Sequence, residues 1–219
     1  AAIRQTEQGL PEVLMQLRSG ESIIVYLTET SNDNLTPYSY IDTQSESCQE
    51  LRNWTLRFIT SAPIPITKTY KTTTPKSWTE FGEQTLNETM ATGCYTTEFT
   101  YKLPPKGAII LDLGDVRETA RVRLNGKEVA TLFAVPYRID VTQYIKKGKN
   151  KLEIEVSNLG ANRISKLDRE GVEWRKFNEI NVVDLNYKNT RYGQWEPMPS
   201  GLCSSVRLLT RRVTPTQTS

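Results

Sequence analysis

The chain has 219 residues, of which 37% are hydrophobic, so it can bury a full core in one large domain or two small ones. Its net charge of +3 is too small to indicate a nucleic-acid partner, because phosphate binding needs a concentrated basic surface. No apolar run approaches the ~20 residues of a membrane-spanning helix, so we expect no membrane span. Histidine is absent, which excludes Ser-His-Asp and Cys-His catalysis but not glycosidases that use two carboxylates.

The first 53 residues divide into a short apolar part and a polar part. Val13 to Leu17 and Ile23 to Leu27 are apolar runs joined by a polar turn, which predicts a β-hairpin within residues 1–28. Two strands alone are marginally stable in water, so this hairpin is expected to join the later domain or to be the tail of a preceding β-domain. Residues 29–53 are rich in Ser, Thr, Asn and Asp and indicate a linker or long loop.

Residues 54–212 show the pattern of an antiparallel β-sandwich, and residues 213–219 are expected to form a disordered tail. Its clearest part is Gly107 to Arg163, where apolar residues alternate with charged or polar ones, as in a strand with one buried face. The alternating apolar residues are Ala120, Val122, Leu124, Leu152, Ile154 and Val156. Asn125-Gly126 tolerates the positive φ of a two-residue turn and predicts a hairpin into Lys127 to Leu132.

Other segments bring the predicted total to seven or eight strands. Trp54 to Ile59 and Cys94 to Leu103 also alternate, and a last strand is predicted from Ser204 to Leu209. Val141 to Ile145 is expected to form one helical turn, with Thr142 as its N-cap. The predicted fold class is therefore all-β, an antiparallel jelly-roll sandwich.

The alternation is lost from Leu159 to Ser200, a polar and aromatic stretch that we expect to be a long loop with a function. Carbohydrate recognition uses aromatic rings that stack on the sugar and nearby polar groups that bind its hydroxyls. The candidate residues here are Trp174, Arg175, Asn178, Arg191, Tyr192 and Trp195. In a competing interpretation Trp174 and Trp195 pin the loop to the sandwich, while Trp54 and Trp78 belong to the core.

The carboxylates and cysteines do not define a catalytic site. Eight carboxylates are enough to supply an acid/base pair, but their spacing singles out no two of them: Asp112, Asp115, Glu118, Asp140, Asp168, Glu170, Glu173 and Asp184. Asp140 is expected to accept backbone N–H groups in a turn. Cys48, Cys94 and Cys203 lack CxxC spacing, so one disulfide with a free thiol and no disulfide both remain open.

Several sequence segments resemble those of a known protein family. The runs LDLGDVRETARVRLNGKEV (Leu111 to Val129) and VPYRIDVTQYIKKGKNKLEIEVSNLGANR (Val135 to Arg163) resemble the galactose-binding-like β-sandwich of multidomain glycoside hydrolases, including the sugar-binding domain of family 2. Together with Asn162-Arg163 and Pro199-Ser200-Gly201-Leu202, they look like the C-terminal region of glycoside hydrolase family 106, the α-L-rhamnosidases.

The resemblance implies a non-catalytic role, because the family's catalytic carboxylates lie in a barrel domain that would precede this segment. The implied partners are that catalytic domain and carbohydrate, a plant or microbial polysaccharide that contains rhamnose. It also implies a secreted, periplasmic or cell-surface location. The resemblance implies no required cofactor, and the metal that it suggests is a structural Ca²⁺. Two alternative functions are an autonomous carbohydrate-binding module and a protein-binding adhesion or assembly domain.

Overall fold

The computed structural model describes residues 3–17, 19–20, 22–27, 40–41, 47–102, 107–175, 191–211 and 213–214. The strands in chain order are β1 (Ile3–Gln5), β2 (Pro11–Val13), β3 (Tyr40–Ile41), β4 (Ser47–Leu51), β5 (Trp54–Ala62), β6 (Tyr70–Thr72), β7 (Met90–Tyr101), β8 (Ala108–Asp112), β9 (Val116–Arg117), β10 (Thr119–Leu124), β11 (Lys127–Leu132), β12 (Arg138–Asp140), β13 (Gly148–Ser157), β14 (Gly201–Leu202), β15 (Val206–Arg211) and β16 (Val213–Thr214). The helices are α1 (Gln84–Asn87) and α2 (Ala161–Arg169), and two 3₁₀ turns span Trp78–Phe81 and Tyr192–Gln194.

Two antiparallel sheets form the sandwich. The larger has six strands in the order β11-β10-β13-β7-β5-β6, and the smaller has four in the order β12-β8-β15-β4. One core cluster contains buried side chains of both sheets, among them Leu56 and Ile154 from the larger sheet and Leu111 and Leu208 from the smaller. The predicted all-β antiparallel sandwich is confirmed, and its core lies between the two inner faces.

The local pattern predictions hold in the larger sheet. Ala120, Val122 and Leu124 of β10 are all buried, as are the alternating apolar residues of β13. Asn125 and Gly126 have φ values of 55° and 80°, and Leu124 pairs with Lys127 across the predicted hairpin. Trp54 and Trp78 are 1% and 0% exposed, which confirms both as core residues.

The N-terminal predictions are partly wrong. The hairpin forms between β1 and β2, with Ile3 opposite Val13, and not between Val13 to Leu17 and Ile23 to Leu27. The apolar runs were misleading because their large side chains are exposed, so no burial selects a register for them. The expected linker also ends early, since β4 (Ser47–Leu51) pairs with β15 as an edge strand of the smaller sheet.

One further pair of strands joins the N-terminal part of the chain to its C-terminal part. Tyr40–Ile41 lies opposite Val213–Thr214, so the first two residues of the expected C-terminal tail are in a strand. The remainder of that tail, and residues 29–39 and 42–46 of the expected linker, lie outside the described residues.

The predicted helical turn at Val141 to Ile145 is present with a different cap. The Ile145 N–H donates to the Val141 carbonyl at 3.0 Å. Asp140 accepts the Thr142 N–H at 2.8 Å, which confirms the expectation for Asp140. The Thr142 hydroxyl instead accepts the Ile109 N–H of β8 at 2.8 Å, so Thr142 links the turn to the smaller sheet and is not the N-cap.

Candidate functional site

Helix α2 lies within the segment from Leu159 to Ser200, so the prediction of a loop throughout was wrong. Its two buried residues, Asn162 and Ser165, are polar, and a polar buried face gives no apolar periodicity in the sequence. Lys166 Nζ and Arg169 Nη2 hold Glu88 at 2.6 and 3.2 Å. These contacts attach the helix to the start of β7.

The electrostatics at Glu88 favour this attachment. Burial works to raise its pKa, but the hydrogen bonds from Lys166, Gln84 and Arg169 outweigh burial and hold the pKa below its usual value. The hydrogen bond that Lys166 donates to Glu88 also raises the pKa of Lys166. Both partners therefore stay charged at neutral pH.

Ser200 fixes the other end of the segment. Its backbone N–H donates to Ser77 Oγ at 3.0 Å, and its hydroxyl accepts from Asn158 Nδ2 at 3.1 Å. Asn162 brackets Met198, since its Oδ1 accepts the Met198 N–H at 2.8 Å and its Nδ2 donates to the Met198 carbonyl at 2.9 Å. The residues just before β14 are thus held both by helix α2 and by Ser77 and Asn158.

The packing around Gly201 explains why the motif Pro199-Ser200-Gly201-Leu202 contains a glycine. Its φ is +90°, and a Cβ there would lie 2.3 Å from both Trp78 Nε1 and Tyr95 Oη. Those two atoms are hydrogen-bonded at 2.7 Å, and the Leu202 N–H also donates to Tyr95 Oη at 3.1 Å. Burial raises the pKa of Tyr95, so its hydroxyl stays protonated. This four-residue motif is therefore explained by the packing of the sandwich, without a ligand contact.

Three aromatic rings lie together next to the C-terminal end of helix α2. We call Trp174, Tyr192 and Trp195 the aromatic cluster. The rings of Trp174 and Tyr192 meet edge to face with centroids 5.5 Å apart, and those of Tyr192 and Trp195 do so at 4.7 Å. The Arg175 guanidinium lies 5.1 Å from the Trp174 ring and 5.2 Å from the Tyr192 ring.

Asp168 positions this cluster. One carboxylate oxygen accepts the backbone N–H of Gly193 at 2.8 Å, and the other accepts the indole N–H of Trp174 at 3.4 Å. The bond from Gly193 is the main reason why the pKa of Asp168 is lowered. A Cβ on Gly193 would lie 3.0 Å from Cγ of Arg169, so the turn packs closely on the helix. Sequence reasoning assigned no part in the site to Asp168 or Gly193.

Four of the six predicted candidates, Trp174, Arg175, Tyr192 and Trp195, are brought together. Arg191 is exposed and immediately precedes the 3₁₀ turn, and Asn178 lies outside the described residues. Trp195 is 42% exposed, whereas the other two rings of the cluster are half-buried. Trp174 therefore pins the turn to the helix, while Trp195 presents a ring to solvent.

Five of the candidate carboxylates make structural contacts. Asp112 pairs with Arg138 at 2.8 Å and Asp115 with Arg117 at 2.7 Å. Asp140 and Asp168 hold the turns described above, and Glu170 lies 3.6 Å from Lys166. Asp184 lies outside the described residues. These contacts favour a structural use of the acidic side chains over acid/base chemistry.

The metal and cysteine predictions have different outcomes. In the part of the chain that the structure describes, no three His, Cys, Asp or Glu side chains group together as metal ligands. A Ca²⁺ site can use backbone carbonyls, so the structural Ca²⁺ stays a prediction. Cys48, Cys94 and Cys203 are all free thiols, which decides between the two alternatives for the disulfide. Among the described residues, no helix is long and apolar enough to cross a membrane.

Two sequence comparisons relate this chain to known proteins. The model of the family described as glycosyl hydrolase 2 galactose-binding domain-like matches residues 71–199, which is more than half of the chain. A protein of Formosa agariphila, provisionally named a beta-glucuronidase, is 40% identical over 92 residues. That similarity covers 41% of this chain and 8% of the relative.

Two solved structures share the fold. The rhamnosidase from Novosphingobium sp. PP1Y superposes with a TM-score of 0.60 at 22% identity, over 82% of this chain and 16% of the rhamnosidase. The Bifidobacterium dentium beta-glucuronidase superposes with a TM-score of 0.53 at 20% identity, over 78% of this chain and 30% of the glucuronidase. This chain thus spans less than a third of each relative's length.

Proposed function

This chain belongs to the galactose-binding-like domain family of the family 2 glycosyl hydrolases, and we propose that it is a non-catalytic β-sandwich of a longer glycoside hydrolase. We also propose that its aromatic cluster contacts carbohydrate. The observation that supports the carbohydrate contact is the exposed ring of Trp195, braced by Tyr192 at 4.7 Å. A ring held in place gains sugar-stacking contact with little further loss of side-chain entropy.

The proposed parent enzyme is an α-L-rhamnosidase that acts on rhamnose-containing polysaccharide. The superposition on the Novosphingobium rhamnosidase and the family resemblance of the sequence support this choice. Because a polysaccharide substrate is extracellular, the proposal includes export of the enzyme to the periplasm, the cell surface or the medium.

A β-glucuronidase parent is the second candidate. It is favoured by the 40% identity to the Formosa agariphila protein, although that identity extends over only 92 residues. On C5 of the ring, a glucuronide carries an anionic carboxylate and a rhamnoside carries an uncharged methyl group. Arg191, exposed beside the aromatic cluster, offers a positive charge to such a carboxylate.

A glycan array tests the carbohydrate contact. The purified 219-residue chain is expected to bind rhamnose-containing oligosaccharides, and Trp195→Ala is expected to weaken that binding by at least about tenfold. Phe133→Ala is the matched control, because Phe133 is 79% exposed and lies outside the aromatic cluster. Binding of glucuronides alone, lost in Arg191→Ala, would favour the second candidate.

The same preparations distinguish the remaining alternatives. If the 219-residue chain binds glycan as tightly by itself as independent carbohydrate-binding modules do, the result would favour an autonomous carbohydrate-binding module. Binding to a protein but to no glycan would favour an adhesion or assembly domain. Release of rhamnose from an aryl rhamnoside by this chain, lost on substitution of one of its own carboxylates, would contradict the non-catalytic role.

A further inference from the structure

A groove lies on the outer face of the six-stranded sheet, between β5 and the segment that leads to β6. Its volume is about 840 Å³, and its lining includes Arg57, Ile59, Thr60, Pro65, Ile66 and Cys94. Ligand sites commonly measure about 300–1,000 Å³ and combine an apolar lining with a few polar groups. The aromatic cluster does not line this groove, so the groove is a separate candidate site.

A β-bulge in β5 shapes the floor of the groove. Arg57 lies opposite Cys94 of β7. Three positions later, Thr60 lies opposite Thr92, which is only two positions from Cys94. Side chains two positions apart share one face of a strand, so Arg57 and Thr60 both lie on the face away from the core. The extra residue of the bulge, Ile59, is 54% exposed beside them.

Hydrogen bonds hold the wall of the groove in place. Ser61 Oγ accepts the Ile66 N–H at 2.8 Å and donates to the Ile64 carbonyl at 2.8 Å. Ile66 also packs against the core cluster. Beyond the wall, the hydroxyl of Tyr70 donates to Glu83 at 2.7 Å where β6 begins. The groove is therefore preformed, which reduces the entropy that a ligand loses on binding.

Arg57 brings a positive charge to the groove that no carboxylate of the described residues pairs with. Its side chain is exposed. Two carboxylates of β13, those of Glu155 and Glu153, share the outer face of the sheet. Glu155 binds Arg123. Glu153 lies 3.0 Å from Lys151, so both carboxylates already have partners. An anionic ligand would supply the ion pair that Arg57 lacks within the described part of the chain.

The other lining groups fit the ring of a sugar. Ile59, Pro65 and Ile66 offer an aliphatic surface to the C–H face of a pyranose. Thr60 and Thr67 bring hydroxyls that can exchange hydrogen bonds with those of the sugar. Together with one guanidinium, these groups match a sugar ring that carries a single carboxylate.

We propose that the groove binds a uronate residue of an acidic polysaccharide, with the Arg57 guanidinium on its carboxylate. This site goes beyond the proposed function, because it requires neither the aromatic cluster nor a particular parent enzyme. An acidic peptide fits less well, since its carboxylates lie close together and would meet one cation with Glu155 and Glu153 nearby.

Tetragalacturonate and its fully methyl-esterified form test the role of charge, because the ester keeps the sugar rings and removes the carboxylates. In titration calorimetry the 219-residue chain is expected to bind the acid at least about tenfold more tightly than the ester. Arg57→Gln is expected to weaken binding of the acid by about tenfold and to leave the ester unaffected. Lys149→Gln is the matched control, since it removes the same charge from an exposed residue that does not line the groove.

Ile59→Asp provides a second variant that is expected to fold normally, because the Ile59 side chain is 54% exposed. It places a carboxylate beside Arg57, where it would repel the carboxylate of the ligand. Binding of the acid is expected to weaken by at least about tenfold, with an unchanged melting temperature.

The thiol of Cys94 reports directly on occupancy of the groove. Tetragalacturonate is expected to slow its modification by methyl methanethiosulfonate at least about fivefold at about pH 9. Cys48 is exposed and does not line the groove, so its rate is expected to stay the same.

Several outcomes would overturn the proposal. They are equal binding of acid and ester, undiminished binding by Arg57→Gln, and no protection of Cys94. Protection of Cys94 by an oligo-aspartate peptide but not by tetragalacturonate would assign the groove to an acidic peptide instead.

Trp195→Ala separates this inference from the proposed function. It is expected to leave the protection of Cys94 by tetragalacturonate unchanged, whatever its effect at the aromatic cluster. Binding of the acid that is lost in Trp195→Ala but not in Arg57→Gln would reject the groove and support the carbohydrate contact at the aromatic cluster.

Discussion

The carboxylate of Asp168 accepts the backbone N–H of Gly193 across 2.8 Å and so joins helix α2 to the turn that carries Tyr192. The same carboxylate receives the indole N–H of Trp174, whose ring meets that of Tyr192. One acidic side chain therefore sets the relative position of two rings of the aromatic cluster.

Asp168→Asn is expected to loosen the turn, because an amide oxygen is a weaker acceptor than a carboxylate. We expect faster hydrogen exchange at the Gly193 amide and a changed tryptophan emission, with Glu173→Gln as the control at an exposed carboxylate. The pKa of Asp168 is lowered from 3.8, so its contribution is present above that pH and is lost as the pH falls further. Unchanged protection of Gly193 in the variant would contradict this role.

Glu88→Gln is expected to destabilise the attachment of helix α2. The Glu88 side chain is only 12% exposed and binds both Lys166 and Arg169, so its neutralisation should lower the free energy of unfolding by about 2 kcal/mol. Its folded pKa is lowered, so the contribution is present above the usual value of 4.5 and is lost as the pH falls below it. Urea unfolding near pH 7 and near pH 3 measures both effects.

Glu170→Gln is the matched variant, because Glu170 lies 3.6 Å from the same Lys166 but is 50% exposed. We expect a change below about 0.5 kcal/mol for it. If both variants lose the same stability at pH 7, the partly buried pair at Glu88 is not what holds the helix.

Gly201→Ala is expected to destabilise the sandwich by about 3 kcal/mol or more, since it combines a positive φ with contacts of 2.3 Å to Trp78 and Tyr95. Gly126→Ala separates the two causes. Gly126 has a φ of +80° but nothing within 4 Å of the added Cβ, so only backbone strain of about 1 kcal/mol is expected. Chemical unfolding of both variants gives the comparison, and equal losses would show that steric contact at Gly201 is unimportant.

The thiols are expected to differ in reactivity. Burial raises the pKa of Cys203 to about 11 and also raises the pKa of Cys94, whereas Cys48 is exposed. Because the thiolate is the reactive form, we expect iodoacetamide at pH 8 to modify Cys48 roughly 100-fold faster than Cys203. Peptide mass spectrometry follows the reaction, with the urea-unfolded chain as the control in which all three react alike. Equal rates in the folded chain would contradict the partly buried setting of Cys203.

The sequence predicted the strands of the larger sheet well because their signals are local. The alternation in β10 and the Asn125-Gly126 turn each depend on residues a few positions apart. The same kind of signal failed at Ile23 to Leu27, where an apolar run is exposed, and at Ser47 to Leu51, where a polar segment pairs at a sheet edge. An edge strand with an exposed face has little need of apolar residues.

The candidate site was predicted by residue type but not by geometry. The sequence itself determined an antiparallel sandwich and placed Trp174, Tyr192 and Trp195 in the segment that follows its best-patterned strands. Only the tertiary structure decided that a helix with a polar buried face would form there, and that Trp195 would be exposed while Trp174 is held by Asp168. The reason is physical: these outcomes depend on hydrogen bonds between residues far apart in the chain, such as Ser200 to Ser77, which no local pattern encodes.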